Sequence, residues 1–104
     1  MKIEDAARRF AAIGSEARLQ VLNNLVRAGN TGLSVGDIQD RTNIAASTLA
    51  HHLRTLNLAG LVEQEKDGRS VINRAAYQNL EKLAGYILTE CCVDEKKEVG
   101  TVNE

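Results

Sequence analysis

The sequence contains no proline and no tryptophan, and only three of its 104 residues are aromatic. A hydrophobic core must therefore consist mostly of leucine, isoleucine, valine and alanine. Apolar residues recur at helical spacing almost throughout the chain, which favours a mainly helical protein. A chain of this length is expected to form one domain with a modest core.

Long apolar runs and a cysteine framework are also missing. No run of 18 apolar residues occurs, so no transmembrane helix is expected. The start, MKIEDAARRF, contains acids and no long apolar stretch, so it does not resemble a signal peptide. The only two cysteines, Cys91 and Cys92, are adjacent, which is not the framework of a disulfide-rich secreted fold. We therefore expect a cytoplasmic protein.

The net charge of −1 does not by itself indicate a nucleic-acid-binding protein. Its distribution is more informative. Residues 41–74 carry five basic and three acidic side chains, whereas residues 90–104 carry five acids and two lysines. A mildly basic middle and an acidic end fit a weakly electrostatic DNA-binding protein.

The stretch from Thr42 to Val62, TNIAASTLAHHLRTLNLAGLV, predicts a two-faced helix. Its apolar side carries Leu49, Leu53 and Leu56. Its opposite side carries hydrogen-bonding side chains, namely Ser47, Thr48, His51 and Arg54. This division is required of a helix that packs on a core with its apolar side and reads base edges in a major groove with its polar side. Gly60 can adopt the left-handed conformation that ends such a helix.

Three shorter helices are predicted before this one, over about residues 3–14, 16–28 and 34–42. Ser15 is a candidate N-cap for the second helix, and Ser34 with Asp37 forms a candidate capping box for the third. The link of residues 43–45 then joins the third helix to the two-faced helix. Two helices joined this tightly indicate a helix-turn-helix.

After Val62 the pattern changes to that of strands. LVEQEK and RSVINRA predict two short strands around the turn Asp67-Gly68. Lys66 lies just before the tip and Arg69 just past it, so this hairpin is a candidate wing that touches phosphates or the minor groove. A last helix is predicted from Tyr77 to Cys92, on an apolar stripe formed by Leu80, Leu83, Ala84, Ile87, Leu88 and Cys91.

In its order of elements, and in the motifs STLAHHLRTLNLAGLV and DGR, the chain resembles the ArsR/SmtB family of winged-helix repressors over roughly residues 5–92. The resemblance implies a mainly α fold of five helices with a two-stranded hairpin wing. It also implies a homodimer formed by the first and last helices, bound to a roughly palindromic double-stranded operator and released by an inducer. We expect a winged-helix domain over residues 1–93 and a polar, disordered tail over 94–104.

Two features depart from the family pattern. Ala45 stands where a capping residue commonly opens the recognition helix, and a missing cap costs about 1 kcal/mol. The start of this helix is therefore expected to shift to Ser47 or to be less stable. Leu58 lies on the polar side of the helix, and the helical period of the apolar residues does not account for a leucine there.

The family's known metal sites are absent, so the inducer must bind elsewhere. The metalloid Cys-x-Cys position at the third helix is occupied here by Ser34-Val35-Gly36-Asp37. The zinc site of the last helix needs histidine, but both histidines lie in the two-faced helix. Some arsenic-responsive members resemble this chain in carrying a Cys-Cys pair at the position of Cys91 and Cys92, usually with a third cysteine downstream.

The chemistry of this pair favours a trivalent arsenical as inducer, with no cofactor required. Soft thiolates suit thiophilic ions, and trivalent arsenic takes three ligands, so two sulfurs leave one position open. Methylarsenite fills that position with its own carbon, and arsenite fills it with hydroxide. Cys91 and Cys92 point about 100° apart on a regular helix, so we expect binding to unwind the end of the last helix.

Several alternatives remain open at this stage. Cys91 could be a small buried hydrophobic residue, or the thiols could sense oxidants through a disulfide between protomers. His52 lies near the leucine side and could pack against the core instead of contacting DNA. Arg18 could contact phosphate or merely be solvated. A protein–protein adapter of the same fold is a further alternative, whereas no acid–base pair, phosphate loop or Ser-His-Asp arrangement indicates an enzyme.

Overall fold

The structure, a computed structural model, describes residues 1–95. Within these residues, five α-helices and one antiparallel sheet follow in the order α1 (Ile3–Ile13), α2 (Glu16–Ala28), β1 (Leu33–Ser34), α3 (Val35–Thr42), α4 (Ala46–Leu58), β2 (Val62–Asp67), β3 (Ser70–Ala75) and α5 (Tyr77–Tyr86). This arrangement confirms the predicted mainly helical, winged helix-turn-helix fold. None of the helices within the described range is long and apolar enough to cross a membrane. Most of the predicted 94–104 tail, residues 96–104, lies outside that range.

The predicted helix starts are confirmed at α2 and α3. Ser15 Oγ accepts a hydrogen bond from the Arg18 N–H at 3.0 Å. Ser34 and Asp37 form a complete capping box, in which each side chain accepts from the other residue's backbone N–H. Asn43 then adopts a left-handed conformation with φ of 60°, which turns the chain from α3 towards α4.

The recognition helix α4 begins at Ala46, with Ala45 in the N-cap position and no side-chain cap. Of the two expected outcomes, the shift of its start to Ser47 is therefore wrong, and the lower stability of the helix start stays a prediction. The helix is held at this register by its apolar side, because Leu49, Leu53 and Leu56 are all buried. Burial of a leucine side chain contributes about 1.5–3 kcal/mol, which outweighs the loss of one cap.

The sheet has a third strand that the sequence pattern did not predict. Its strand order is β1-β3-β2, with Leu33 opposite Asn73 and Ser34 opposite Ile72. Asn73 is the buried polar residue that joins the three strands. Its Nδ2 donates to the Leu33 carbonyl at 3.1 Å, and its Oδ1 accepts from Gln64 Nε2 at 2.8 Å.

The wing is the β2–β3 hairpin, and its tip lies one residue later than predicted. Asp67 pairs with Ser70, so the two central residues of the turn are Gly68 and Arg69. Gly68 has φ of 66° whereas Arg69 has no positive φ, which fits a type II′ turn. Arg69 is therefore at the tip itself and not just past it.

The predicted end of the last helix at Cys92 is wrong, because α5 ends at Tyr86. Beyond it the backbone makes i→i+3 bonds, including Leu88 N–H to Gly85 O and Cys91 N–H to Leu88 O. Ile87 and Leu88 are 69% and 68% exposed, so neither packs on the core. Helices in proteins depend mainly on such packing, and without it the apolar periodicity is not enough to continue α5.

Gly32 and Gly29 offer a matched test of the packing between the α2–β1 connection and the sheet. Both have positive φ with ψ near the extended limit, a region that costs other residues about 1–3 kcal/mol. A Cβ at Gly32 would lie 2.6 Å from Ile72 Cγ2 and 2.7 Å from the Asn73 carbonyl oxygen, whereas a Cβ at Gly29 would meet nothing within 4 Å.

Gly32→Ala is therefore expected to lower the free energy of unfolding by about 1–3 kcal/mol more than Gly29→Ala, because overlap adds to backbone strain. Urea unfolding followed by circular dichroism measures both variants. Equal losses would show that the sheet yields to the added methyl group and that only backbone strain matters.

Candidate nucleic-acid interface and thiol pair

The outward side of α4 is a row of exposed polar side chains. Ser47, Thr48, His51 and Arg54 are all exposed, as the helical period predicts from the burial of the leucine side. Within residues 1–95 the side chains of Ser47, His51 and Arg54 make no hydrogen bonds, although Thr55 Oγ1 donates to the His51 carbonyl, so the donors and acceptors of these three side chains are available to a partner. Short hydroxyls, an imidazole and a guanidinium in one row match the edges that base pairs present in a major groove.

Leu58 lies on the same side of α4 as this row, one helical repeat beyond Arg54. It is 73% exposed. The structure confirms that it does not belong to the core and offers no packing partner that explains it.

His52 is set back from the exposed row. It is half-buried, and its Nδ1 is buried without a hydrogen-bond partner among the residues that the structure describes. Burial lowers the pKa of His52, and the positive charges of Arg18 and His51 lower it further. A neutral, packed imidazole fits this position, and DNA contact by His52 stays a prediction.

Arg18 has a structural role that neither predicted alternative included. Its Nε donates to the Ala12 carbonyl at 2.5 Å, and its backbone N–H donates to Ser15 Oγ. The side chain therefore braces the junction between α1 and α2.

The wing carries exposed cations at its tip, with Lys66 and Arg69 both open to solvent. Arg74 is committed elsewhere, since it forms an ion pair with Glu65 at 2.6 Å and donates to the Asn30 carbonyl at 2.7 Å. Lys66 and Arg69 are thus the wing cations free to meet phosphates, and that role stays a prediction.

Two polar side chains that the sequence reasoning missed contact the turn after α4. Arg9 Nε in α1 donates to the Ala59 carbonyl at 3.0 Å, and Asn79 Nδ2 in α5 donates to the Gly60 carbonyl at 2.7 Å. The partners are 50 and 19 residues apart, and no local pattern marks either of them.

An open, mostly apolar groove of about 550 Å³ lies between α1 and the segment that follows α5. Ile3 and Phe10 line one side of it, and Tyr86, Ile87 and Thr89 line the other. Ile3, Phe10 and Ile87 are exposed apolar side chains. Glu90, immediately before the cysteines in the chain, also lines the groove.

Both cysteines are exposed, so the interpretation of Cys91 as a buried hydrophobic residue is wrong. Cys92 has φ of 66°, which turns the two side chains towards each other and brings their sulfur atoms to 3.2 Å. Unwinding of a helix end is therefore unnecessary for both sulfurs to reach one ion. No cluster of three or more His, Cys, Asp or Glu side chains that could hold a metal ion occurs within residues 1–95, so an ion bound by this pair would need a further ligand from elsewhere.

The surroundings of Cys92 favour the protonated form of its thiol. Its hydrogen bond with Cys91 raises the pKa of Cys92, and a second hydrogen bond with Glu95 raises it further. A thiophilic ligand bound by this pair would displace the thiol protons, as is general for thiolate ligands.

Comparison with known proteins places this geometry in context. The family model described as "Helix-turn-helix domain" matches residues 13–65. An uncharacterized HTH-type transcriptional regulator of Bacillus subtilis, YceK, is 36% identical over 64 residues, which are 62% of this chain and 63% of that protein. The chain thus spans just under two thirds of that relative. The cadmium resistance transcriptional regulatory protein CadC of Listeria innocua is 31% identical over 86% of this chain and 70% of its own.

Solved structures give the same assignment. An ArsR-like transcriptional regulator from Rhodococcus is 31% identical with a TM-score of 0.73, covering 88% of this chain and 82% of its own. The homodimeric winged helix-turn-helix DNA-binding domain of Mb0332 from Mycobacterium bovis is 25% identical with a TM-score of 0.69, covering 98% and 90%. These proteins are regulators and not enzymes, and the chain belongs to the ArsR/SmtB family of winged-helix transcriptional regulators.

Proposed function

We propose that the protein is a homodimeric repressor that binds operator DNA through α4 and the wing, and that it releases DNA when a trivalent arsenical binds Cys91 and Cys92. The proposed DNA binding is supported by the exposed row of Ser47, His51 and Arg54 on a helix whose opposite side is buried. Base edges are read by such side chains, while the cations of the wing neutralise phosphates.

The groove between α1 and the segment after α5 supports the dimer. Ile3, Phe10 and Ile87 are exposed there, and apolar surface of this kind marks an interface. The Mycobacterium bovis relative is described as homodimeric. A two-fold dimer presents two recognition helices to two half-sites, and the spacing of those helices then decides whether DNA is bound.

Arg54→Ala and His51→Ala are expected to remain dimeric and to lose about ten- to hundredfold in affinity for operator DNA, since one good base contact contributes about 1–3 kcal/mol. Affinity for unrelated duplex should change little. Fluorescence anisotropy with the DNA upstream of the protein's own coding sequence, against a scrambled duplex, measures both.

Arg69→Ala is the matched contrast, because phosphate contacts carry no sequence information. It is expected to weaken binding to both duplexes and to reduce the slope of log affinity against log salt by about one. Dimeric Arg54→Ala and His51→Ala variants that bind like the parent would remove those residues from the interface. A parent that binds no DNA at low salt would support the protein–protein adapter.

Two exposed sulfurs 3.2 Å apart support a soft, thiophilic inducer. In the reaction, each S–H proton leaves with an arsenic-bound hydroxyl as water, and two As–S bonds form without any change of oxidation state. Methylarsenite retains its methyl group and arsenite retains one hydroxyl as the third substituent. CadC is described as a cadmium resistance regulatory protein, and cadmium is therefore a competing candidate.

Methylarsenite is expected to release operator at a lower concentration than arsenite, because its carbon already fills the third position. Cys91→Ser and Cys92→Ser should each abolish release while leaving DNA affinity within about twofold, since neither side chain has a partner in the core. Intact-protein mass spectrometry identifies the adduct, and cadmium and antimonite serve as parallel ligands.

The double variant Cys91→Ser/Cys92→Ser is the control, because the chain has no other cysteine. Full release from this variant would place the inducer site elsewhere. Release by an oxidant, together with a disulfide-linked dimer on a non-reducing gel and no response to arsenicals, would support the redox-sensing alternative. Both thiols are exposed enough for that bond to form between protomers.

A further inference from the structure

We propose that Arg9 and Asn79 are positioning residues that fix the recognition helix relative to α1 and α5. This inference rests on the proposed DNA-binding function and adds two residues outside the DNA-contacting surface. Both side chains donate to the turn that ends α4: Arg9 to the Ala59 carbonyl and Asn79 to the Gly60 carbonyl.

The end of α4 leaves these two carbonyls available. The Gly60 N–H donates to the Asn57 carbonyl at 2.9 Å, and the Leu61 N–H donates to the Leu56 carbonyl at 2.9 Å. These bonds close the last turn and satisfy the carbonyls of Leu56 and Asn57, whereas within residues 1–95 no backbone N–H donates to the carbonyls of Ala59 and Gly60. Ala59 is buried and Gly60 is half-buried, so unpaired acceptors here would be costly.

Arg9 supplies a charge that α4 itself lacks. The last turn of α4 contains no basic residue, although the carbonyl end of a helix favours a cation. Arg9 has no acidic partner in residues 1–95, where the two ion pairs are Arg8 with Asp5 and Arg74 with Glu65. Its guanidinium is therefore assigned to the end of α4.

Gly60 makes room for both donors. It has φ of 77°, and a Cβ on it would lie 3.2 Å from Arg9 Nη2 and 3.4 Å from Asn79 Nδ2. Within residues 1–95, these are the side-chain hydrogen bonds that join α1 and α5 to the end of α4. A rotation of α1 or α5 therefore pulls on the last turn of the helix that carries His51 and Arg54.

Asn79→Asp tests the contact from α5, because it replaces the donor by a carboxylate that faces the Gly60 carbonyl. It is expected to lower affinity for operator DNA about tenfold or more, with an unchanged dimer. Gln78→Glu is the matched control, since it makes the same charge change at the exposed preceding position. It should stay within about twofold of the parent.

Arg9→Gln tests the contact from α1, with Arg8→Gln as the control on the same helix. A positioning role predicts about fivefold or greater loss of affinity with no change in the salt slope, whereas a phosphate contact predicts a slope reduced by about one. Arg9→Lys also distinguishes the positioning role from a phosphate contact. Lysine restores a phosphate contact, but it lacks the planar Nε–H that meets the Ala59 carbonyl.

Hydrogen exchange without DNA keeps this inference separable from the proposed function. In Asn79→Asp and Arg9→Gln, exchange of the Ala59, Gly60 and Leu61 amides should rise at least about fivefold, while amides of the buried side of α2 stay protected. Uniformly faster exchange would indicate a merely structural role and overturn the inference. Parental exchange and parental affinity in both variants would also overturn it, whereas failure of the parent to bind any DNA would overturn only the proposed function.

Discussion

Burial of the leucine side of α4 is the constraint on which the rest of the structure depends. Leu49, Leu53 and Leu56 are inaccessible to solvent, and rotation of the helix by one residue would expose them. Because their burial prevents α4 from rotating about its own axis, it fixes which side chains face outward. His51 and Arg54 are displayed because the core accepts no other arrangement, even though the helix starts at an alanine without a capping side chain.

Features that depend on residues within one helical turn could be predicted from the sequence. The capping box of Ser34 and Asp37, the cap at Ser15 and the left-handed Gly60 all follow from local chemistry and all occur in the structure. The outward row of α4 was predictable for the same reason, because its period needs no knowledge of distant elements. The hairpin was also predicted, and its tip differed by one residue.

Features that depend on distant partners could not be predicted. β1 exists because Leu33 and Ser34 pair with residues some forty positions later, and two residues carry no periodicity of their own. No local sequence pattern marks Arg9 or Asn79, since the carbonyls that they contact lie 50 and 19 residues away in the chain. The error at α5 has the opposite origin, because its apolar stripe continues beyond Tyr86 but nothing within residues 1–95 covers Ile87 and Leu88.

The segment after α5 therefore belongs both to the apolar groove against α1 and to the candidate thiol site. The segment after Tyr86 has the apolar pattern of a helix but the backbone bonds of successive turns. That same segment lines the groove against α1 and carries the sulfur pair. In the proposed function, a ligand bound to both sulfurs would hold the turned backbone at Cys92, since a regular helix would separate them. The groove that this segment shares with α1 would then connect the ligand to the end of α4, because α1 is the helix whose Arg9 contacts that end.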